Sequence, residues 1–173
     1  MKFKLFVVLC SIVVANFSLA QEKTELEKLS ETTGIITILG YTDLGNVQTD
    51  PAYPSYGIFI QKRIIEIPGS SINRKGIILK VQNYKGENGR SFVDQEEIND
   101  LIAGLEYISN VTKDITTLKN YEVTYTTIGG FEVKTYENDK GVIKFRAKAE
   151  NMSQTMTAEF LNSFIQKLKE IKF

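Results

Sequence analysis

The stretch from Ser91 to Ser109 (SFVDQEEINDLIAGLEYIS) divides the chain into two blocks of strand-like sequence. Its apolar residues recur every three or four positions, which predicts an amphipathic helix with one buried face. The residues of this apolar stripe are Ile98, Leu101, Ile102, Leu105 and Ile108. Gly104 weakens such a helix by about 1 kcal/mol relative to alanine, so its presence indicates that a neighbouring element approaches closely at this point.

The start of this helix contains the densest cluster of acidic residues in the chain. Asp94 is predicted as the N-cap, with Glu97 completing a capping box three residues later. Negative charge in a first helical turn also suits the helix dipole. The alternative is catalytic, because paired carboxylates can do acid–base work. A carboxylate-based hydrolase would use Asp94, Glu96 or Glu97, but capping explains these residues without a substrate.

The first 20 residues have the three parts of a secretory signal peptide. Lys2 and Lys4 form a basic start, and Leu5–Phe17 is mostly apolar but short for a membrane span. Residues 18–20 (SLA) form a small-x-small cleavage site. We therefore predict a secreted or periplasmic protein whose mature chain starts at Gln21 and has no transmembrane segment.

The full chain contains no histidine, and its single cysteine, Cys10, lies within the predicted signal. The predicted mature chain therefore contains neither residue. Lipidation at Cys10 is not expected, since ten residues separate it from the cleavage site. Disulfides, Ser-His-Asp and Cys-His catalysis, histidine zinc sites and thiol redox chemistry are thereby excluded. No phosphate-binding loop, dinucleotide fingerprint or calcium loop occurs. We predict no cofactor, no metal and no catalytic residue.

The first block of the mature chain begins with a polar leader, residues 21–33, that is compatible with one or two helical turns. Gly34–Tyr41 (GIITILGY) has the pattern of a buried strand, and two further strands are predicted over Ile58–Ile67 and Gly76–Tyr84. Between the first two strands, Thr42–Gly57 is rich in glycine, proline and polar residues and predicts a long loop. Long loops are often functional. Its aromatic residues Tyr53 and Tyr56 are therefore candidate ligand contacts, although covering the edge of the core is the simpler role.

The second block reads as three alternating strands followed by a helix. Gly129-Gly130 and Asn138–Gly141 mark the hairpin turns, and Thr157 is a plausible N-cap for the last helix. The apolar stripe of that helix contains Phe160, Leu161, Phe164, Ile165, Leu168 and Ile171. Together the two blocks predict a single two-layer α+β domain over residues 34–173. In it, two helices pack on one antiparallel sheet of about six strands, in the order β-β-β-α-β-β-β-α.

This repeated order of strands and helix resembles several two-layer folds, including the single-stranded nucleic-acid binders of the Whirly and PUR type. The resemblance covers element order alone. Loss of Lys2 and Lys4 leaves 19 basic and 21 acidic residues in the 173 − 20 = 153 residues of the mature chain. Nucleic-acid binders are normally basic, so this net charge of −2 predicts that the protein does not bind nucleic acid.

A row of cations alternates with apolar residues near the end of the second block. Lys144, Arg146 and Lys148 would project from one face of the last strand. At a sheet edge such charges discourage aggregation, and Glu132 or Glu122 would supply cross-strand partners. The sharper alternative is a docking surface for an anionic partner, which makes binding faster and salt-sensitive.

The sequence therefore favours a secreted or periplasmic non-enzymatic module that binds a protein or envelope partner. The alternatives are the carboxylate-based hydrolase and a small-molecule or lipid carrier with a pocket between sheet and helices. A cleft holding two acids with raised pKa values would favour the hydrolase. A large apolar cavity would favour the carrier, and a filled core with an exposed apolar or charged patch would favour the binding module.

Overall fold

The computed structural model describes residues 21–48, 56–138 and 141–173. Within these ranges the chain forms an α+β fold of two four-stranded antiparallel sheets and three α-helices. The first sheet contains β1 (Ile38–Gln48), β2 (Gly57–Glu66), β3 (Asn73–Gln82) and β4 (Asn88–Asp94), paired in sequence order. The second contains β5 (Glu122–Thr126), β6 (Glu132–Glu137), β7 (Ile143–Ala149) and β8 (Met152–Met156), also in sequence order. The helices are α1 (Glu25–Glu31), α2 (Ile98–Ser109) and α3 (Ala158–Lys169).

The predicted α+β class and antiparallel pairing are confirmed, but a single sheet of about six strands with two helices is wrong. The observed order is α-β-β-β-β-α-β-β-β-β-α. The prediction left α1 open as a possible short helix and missed the strands β4 and β8. Each half of the chain therefore contributes a four-stranded meander followed by a helix.

The strand β4 escaped prediction because its inward positions are small. Gly89, Ser91 and Val93 face the interior, and only the last of these is a large apolar residue. A Cβ on Gly89 would lie 2.0 Å from the Ala149 carbonyl oxygen of the second sheet. The Ser91 hydroxyl donates to the Gly129 carbonyl at 2.7 Å. Because the two sheets approach each other closely here, the inward side chains are small. The alternation of apolar and polar residues that indicates a strand is therefore lost.

Similar causes explain two other corrections. The predicted loop over Thr42–Gly57 is in part strand, since β1 continues to Gln48 through a bulge between Asp43 and Asn46. In β8, the inward Gln154 is polar but buried, and its amide donates to the Gln82 carbonyl at 2.9 Å. A bulge interrupts the two-residue period of a strand. A polar residue at a buried position also interrupts the apolar pattern by which the strand would be recognised.

One hydrophobic core joins both sheets to α2 and α3. Ile60 and Leu79 enter it from the first sheet and Val133 from the second. The rings of Phe131, at the start of β6, and Phe164, in α3, meet edge-on with centroids 5.7 Å apart. The predicted stripe of α3 is confirmed: four of its residues are buried, and Thr157 caps the helix by accepting from the Phe160 amide at 3.4 Å.

The α-helical part of the central helix begins later than predicted, at Ile98, because a 3-10 turn over Gln95–Glu97 precedes it with Asp94 at its N-cap position. Its apolar stripe is otherwise confirmed, with Ile98, Leu101, Leu105 and Ile108 buried. Gly104 marks a close approach, as its presence indicates: a Cβ there would lie 2.3 Å from the ring of Tyr125 in β5. The helix therefore packs directly on an edge strand of the second sheet.

The short helix α1 packs on the outer face of the first sheet, the face turned away from the core. Leu26 is fully buried there, and a Cβ on Gly76 would lie 3.0 Å from its Cδ2. The Asp94 carboxylate accepts from the backbone N–H groups of Glu25 and Leu26 at 2.8 and 2.9 Å. Asp94 is therefore a cap, but of α1 and not of the central helix, where it makes no capping hydrogen bond. No helix among the described residues is long and apolar enough to cross a membrane.

Candidate functional site

The predicted cationic row lies on β7, on the outer face of the second sheet. Lys144 and Arg146 are half-buried and Lys148 is exposed. Since β7 is flanked by β6 and β8, the row does not lie on an edge strand, and protection of a sheet edge does not explain it. Arg146 stacks on Tyr136 of β6, with its guanidinium carbon 5.2 Å from the ring centroid.

Cross-strand neighbours partly balance the charge of this row. Lys148 lies opposite Glu132 in the register, while Arg146 lies opposite Lys134. Lys134 itself is ion-paired with Glu122 at 2.9 Å. Glu132 is therefore a cross-strand neighbour of Lys148, but the ion pair on this face joins Glu122 to Lys134 and not to the row on β7.

The two predicted tyrosines do not join this surface. Tyr53 lies outside the described residues. Tyr56 is half-buried directly before β2, in the first sheet. The predicted binding residues that the structure describes thus belong to different sheets.

The outer face of the first sheet carries a groove that the sequence analysis did not predict. Along β2, Ile58 and Ile60 point into the core, so Phe59, Gln61 and Arg63 point outward. The register places Lys80 of β3 beside Phe59, and Arg90 of β4 beside Lys80. A cavity of 260 Å³ lies among these side chains. Its lining residues are Asp43, Gly45, Phe59, Ile60, Gln61, Arg63, Ile78, Lys80 and Arg90.

Contacts between side chains hold the groove in shape. Gln61 donates to the Asp43 carboxylate at 2.6 Å and accepts from Arg63 Nε at 2.5 Å. Lys80 Nζ lies 4.6 Å from the centroid of the Phe59 ring, a distance typical of a cation–π contact. The same side chains that would meet a ligand are thus already oriented by one another.

Positive charge dominates the groove. Arg63, Lys80 and Arg90 line it, against Asp43 as the single lining carboxylate. Within the described residues none of the three cations forms an ion pair with a carboxylate. The helix α1 flanks the groove, because it packs over Gly76, two residues before Ile78 on the same face of β3.

Two of the three acids proposed for a hydrolase, Asp94 and Glu97, accept hydrogen bonds from the backbone. Both oxygens of Asp94 accept from the first turn of α1. Glu97 Oε1 accepts from the Ile128 N–H at 2.7 Å and so anchors the turn between β5 and β6. Burial raises the pKa of the Glu97 carboxyl above its ordinary value, and Asp94 and Asp100 add to this effect, while the Ile128 N–H opposes it. The cluster therefore positions backbone segments, and its exposed member is Glu96.

A wider depression of 820 Å³ lies between the end of β1 and α3. Its apolar lining is limited to Val47 and Phe160. The other lining residues are polar or charged: Asn46, Gln48, Glu159, Asn162, Ser163, Gln166, Lys167 and Glu170. The depression is open to solvent and is not an enclosed cavity of the kind that buries most of a lipid, so it does not favour the carrier alternative.

Comparisons of the chain with protein-family models, with curated proteins and with solved structures found no match. Sequence reasoning missed the groove because its cations come from three strands, and Arg90 lies on β4, a strand that was not predicted. The available signal was the alternation of Phe59, Gln61 and Arg63 against the inward isoleucines of β2.

Proposed function

We propose that the protein is an exported, non-enzymatic module that binds an anionic protein or envelope component in the groove of the first sheet. The observation that supports this most directly is the group Arg63, Lys80 and Arg90, which line one cavity without a carboxylate partner in the described part of the chain. Export rests on the signal-peptide pattern of the first 20 residues.

The chemistry of the groove favours anionic groups. Arginine presents a planar fork of donors that matches carboxylate, sulfate or phosphate, and lysine adds a compact charge. Gln61 already engages Asp43, so the one lining carboxylate has a neutral partner and need not be displaced. The aromatic floor at Phe59 excludes water from one side of a bound group, which strengthens its interaction with the cations.

The hydrogen bonds that the acidic residues accept favour a binding function over catalysis. Two of the three carboxylates that a hydrolase would need accept hydrogen bonds from the backbone. A general acid or base must be within hydrogen-bond reach of the proton that it transfers. With Asp94 and Glu97 held by α1 and by the turn at Ile128, the outer face of the first sheet is the better candidate for a site.

The experiment compares two matched triple variants of the purified protein. One replaces Arg63, Lys80 and Arg90 with glutamine, and the other replaces Lys144, Arg146 and Lys148 with glutamine. Each removes three positive charges from an outer sheet face. Polyglutamate and dextran sulfate serve as probes for carboxylate and sulfate groups, with binding measured by calorimetry at low and moderate salt after circular dichroism has confirmed folding.

We expect the groove variant to lose binding and its salt dependence, and the β7 variant to keep most of both. Salt dependence is expected because exposed charges are screened within about 10 Å at 0.1 M ionic strength. Equal losses in the two variants would show a general effect of net charge. A larger loss in the β7 variant, or no binding of either probe by the parent protein, would contradict the proposal.

A further inference from the structure

Among the described residues, no strand or helix covers the sheet edge formed by the first half of β1. From Ile38 to Thr42, β2 is its only strand neighbour among the described residues. At the opposite edge of this sheet, the inner face of β4 contacts the second sheet at Gly89 and Ser91. Natural monomers protect free edges with lysine, proline, bulges or short strands. The bulge in β1 lies beyond Thr42, so it protects only the second half of the strand.

This edge is also apolar and free of charge. Residues 32–42 include no charged side chain. Ile38 and Leu39 point to opposite faces of the sheet, yet they are 55% and 47% exposed. Ile38 also shares a 290 Å³ depression with Ile72 at the end of the β2–β3 hairpin. The large apolar residues exposed in this region are Ile35, Ile36, Ile38, Leu39, Tyr41 and Ile72.

Sequence and structure disagree at this strand. Gly34–Tyr41 has the pattern of a strand buried on both faces, but the single chain leaves Ile38–Tyr41 exposed. The six apolar side chains expose on the order of 600 Å², taking about 200 Å² for one fully exposed large side chain. This area is divided between the two faces of the edge, and its total approaches the roughly 800 Å² per partner of a standard interface.

We propose that two copies of the chain pair along Ile38–Thr42 of β1, antiparallel and related by a two-fold axis at Gly40. A second copy fits better than a charged partner. The edge has no charged side chain that could pair with charges of a partner, and it meets no like charge when it pairs with its own copy. Pairing would satisfy the free backbone groups of the edge and join the two first sheets into one of eight strands.

The register centred on Gly40 is self-complementary. Leu39 lies opposite Tyr41 of the second copy on one face, and Ile38 lies opposite Thr42 on the other. Aromatic–aliphatic and β-branched cross-strand pairs of this kind stabilise sheets. The nearest charge, Asp43, lies opposite Thr37 of the second copy, so the bulge begins just where the paired segment ends. The grooves of the two copies would then lie on one continuous sheet.

Cysteine cross-linking tests this register. The full chain is expressed with Cys10→Ser, so that any introduced cysteine is the only one. Gly40→Cys is tolerated sterically, since a Cβ there meets Ile64 atoms at 3.8 and 3.9 Å, an ordinary contact distance. Directly opposed residues of antiparallel strands have Cα atoms about 4.5–5.5 Å apart, within the range that a disulfide requires. Thr42→Cys is the matched control, because its two copies would be about 14 Å apart in this register.

With diamide as the thiol oxidant, we expect a cross-linked dimer for Gly40→Cys, and for a mixture of the Ile38→Cys and Thr42→Cys chains. We expect monomer for Thr42→Cys alone. Equal cross-linking at positions 40 and 42 would show random collision and overturn the register. No cross-linking of Gly40→Cys in a folded protein would overturn the pairing.

Oligomeric state without cross-linking supplies the second measurement. Sedimentation should show a concentration-dependent dimer for the parent and loss of that dimer for Leu39→Lys, which places like charges near each other across the interface. Tyr84→Lys, at another exposed apolar position, should keep the dimer. A monomeric parent at all concentrations would overturn the proposal, as would a parent that binds neutral phosphatidylcholine vesicles through this edge in place of a second copy.

Discussion

The groove of the first sheet and the outer face of the second sheet have the same net charge but different construction. The groove presents Arg63, Lys80 and Arg90 against Asp43, three positive charges and one negative. The outer face of the second sheet presents four cations and two carboxylates, for the same excess of two positive charges. These residues are Lys134, Lys144, Arg146 and Lys148 with Glu122 and Glu132. Charge alone therefore does not distinguish the two faces.

What distinguishes them is shape and the position of the carboxylates. On the second sheet, Glu122 is ion-paired with Lys134, and Glu132 lies directly opposite Lys148. In the groove of the first sheet, the one lining carboxylate is engaged by Gln61 and the cations line a 260 Å³ cavity beside α1. A bound anion gains most where cations converge without internal partners and water is partly excluded. The first sheet therefore brings cations together from several strands, whereas the second sheet places three of them in a row along one strand.

The largest expected effect tests whether the two sheets belong to one cooperatively folding unit. Phe164→Ala removes a fully buried ring that contacts Phe131 across the core, and should lower the free energy of unfolding by about 3–5 kcal/mol. Chemical denaturation followed at both sheets should show a single transition. Ser163→Ala, at an exposed position on the same helix, should change stability little. Survival of one sheet after the other has unfolded would mean that the two faces are independent modules.

A smaller effect is expected at the helix that flanks the groove. Asp94→Ala removes the acceptor of two backbone hydrogen bonds at the start of α1, and should cost about 1–2 kcal/mol, as loss of a cap does. Hydrogen exchange at the amides of Glu25 and Leu26 should accelerate, while the second sheet stays protected. Asp100→Ala, an exposed acid in the first turn of α2, is the control. Unchanged protection of α1 would refute the capping role.

The smallest effect concerns pH and the turn of the second sheet. Burial holds the pKa of Glu97 above its ordinary value, so the folded state favours its protonated form. Stability from this group is present below the unfolded pKa, near 4.3, and is lost as pH rises through the folded pKa. Glu97→Gln should therefore gain stability relative to the parent as pH rises through this window. A trend of opposite sign, or no trend at all, would contradict the assignment.

The sequence predicted the elements whose signals are local. The α3 helix was predicted from its stripe and from Thr157, and the β5–β6 hairpin from Gly129-Gly130; both are confirmed, since Thr127 N–H donates to the Phe131 carbonyl across that turn. Prediction from the sequence was wrong for elements whose side chains contact residues that are distant along the chain. Asp94 looks like the cap of the helix that follows it, yet its partner helix lies 68 residues earlier.

The groove escaped prediction for the same physical reason. Its cations belong to β2, β3 and β4, and only strand register brings them together. The row on β7 was predicted because its three cations alternate along one strand, and the structure places them on one outer face as expected. Periodicity reveals which side chains share a face of one element. It cannot reveal convergence across strands whose pairing is unknown.

The most direct test of the central claim is a map of where an anion binds. Backbone amide shifts of the ¹⁵N-labelled protein would be followed while a sulfated tetrasaccharide and a hexaglutamate peptide are titrated in separate experiments. The account predicts saturable shifts at Gln61, Lys80 and Arg90 of the first sheet, with the amides around Arg146 nearly unmoved. Shifts centred on β7, or equal shifts on the two outer faces, would contradict it.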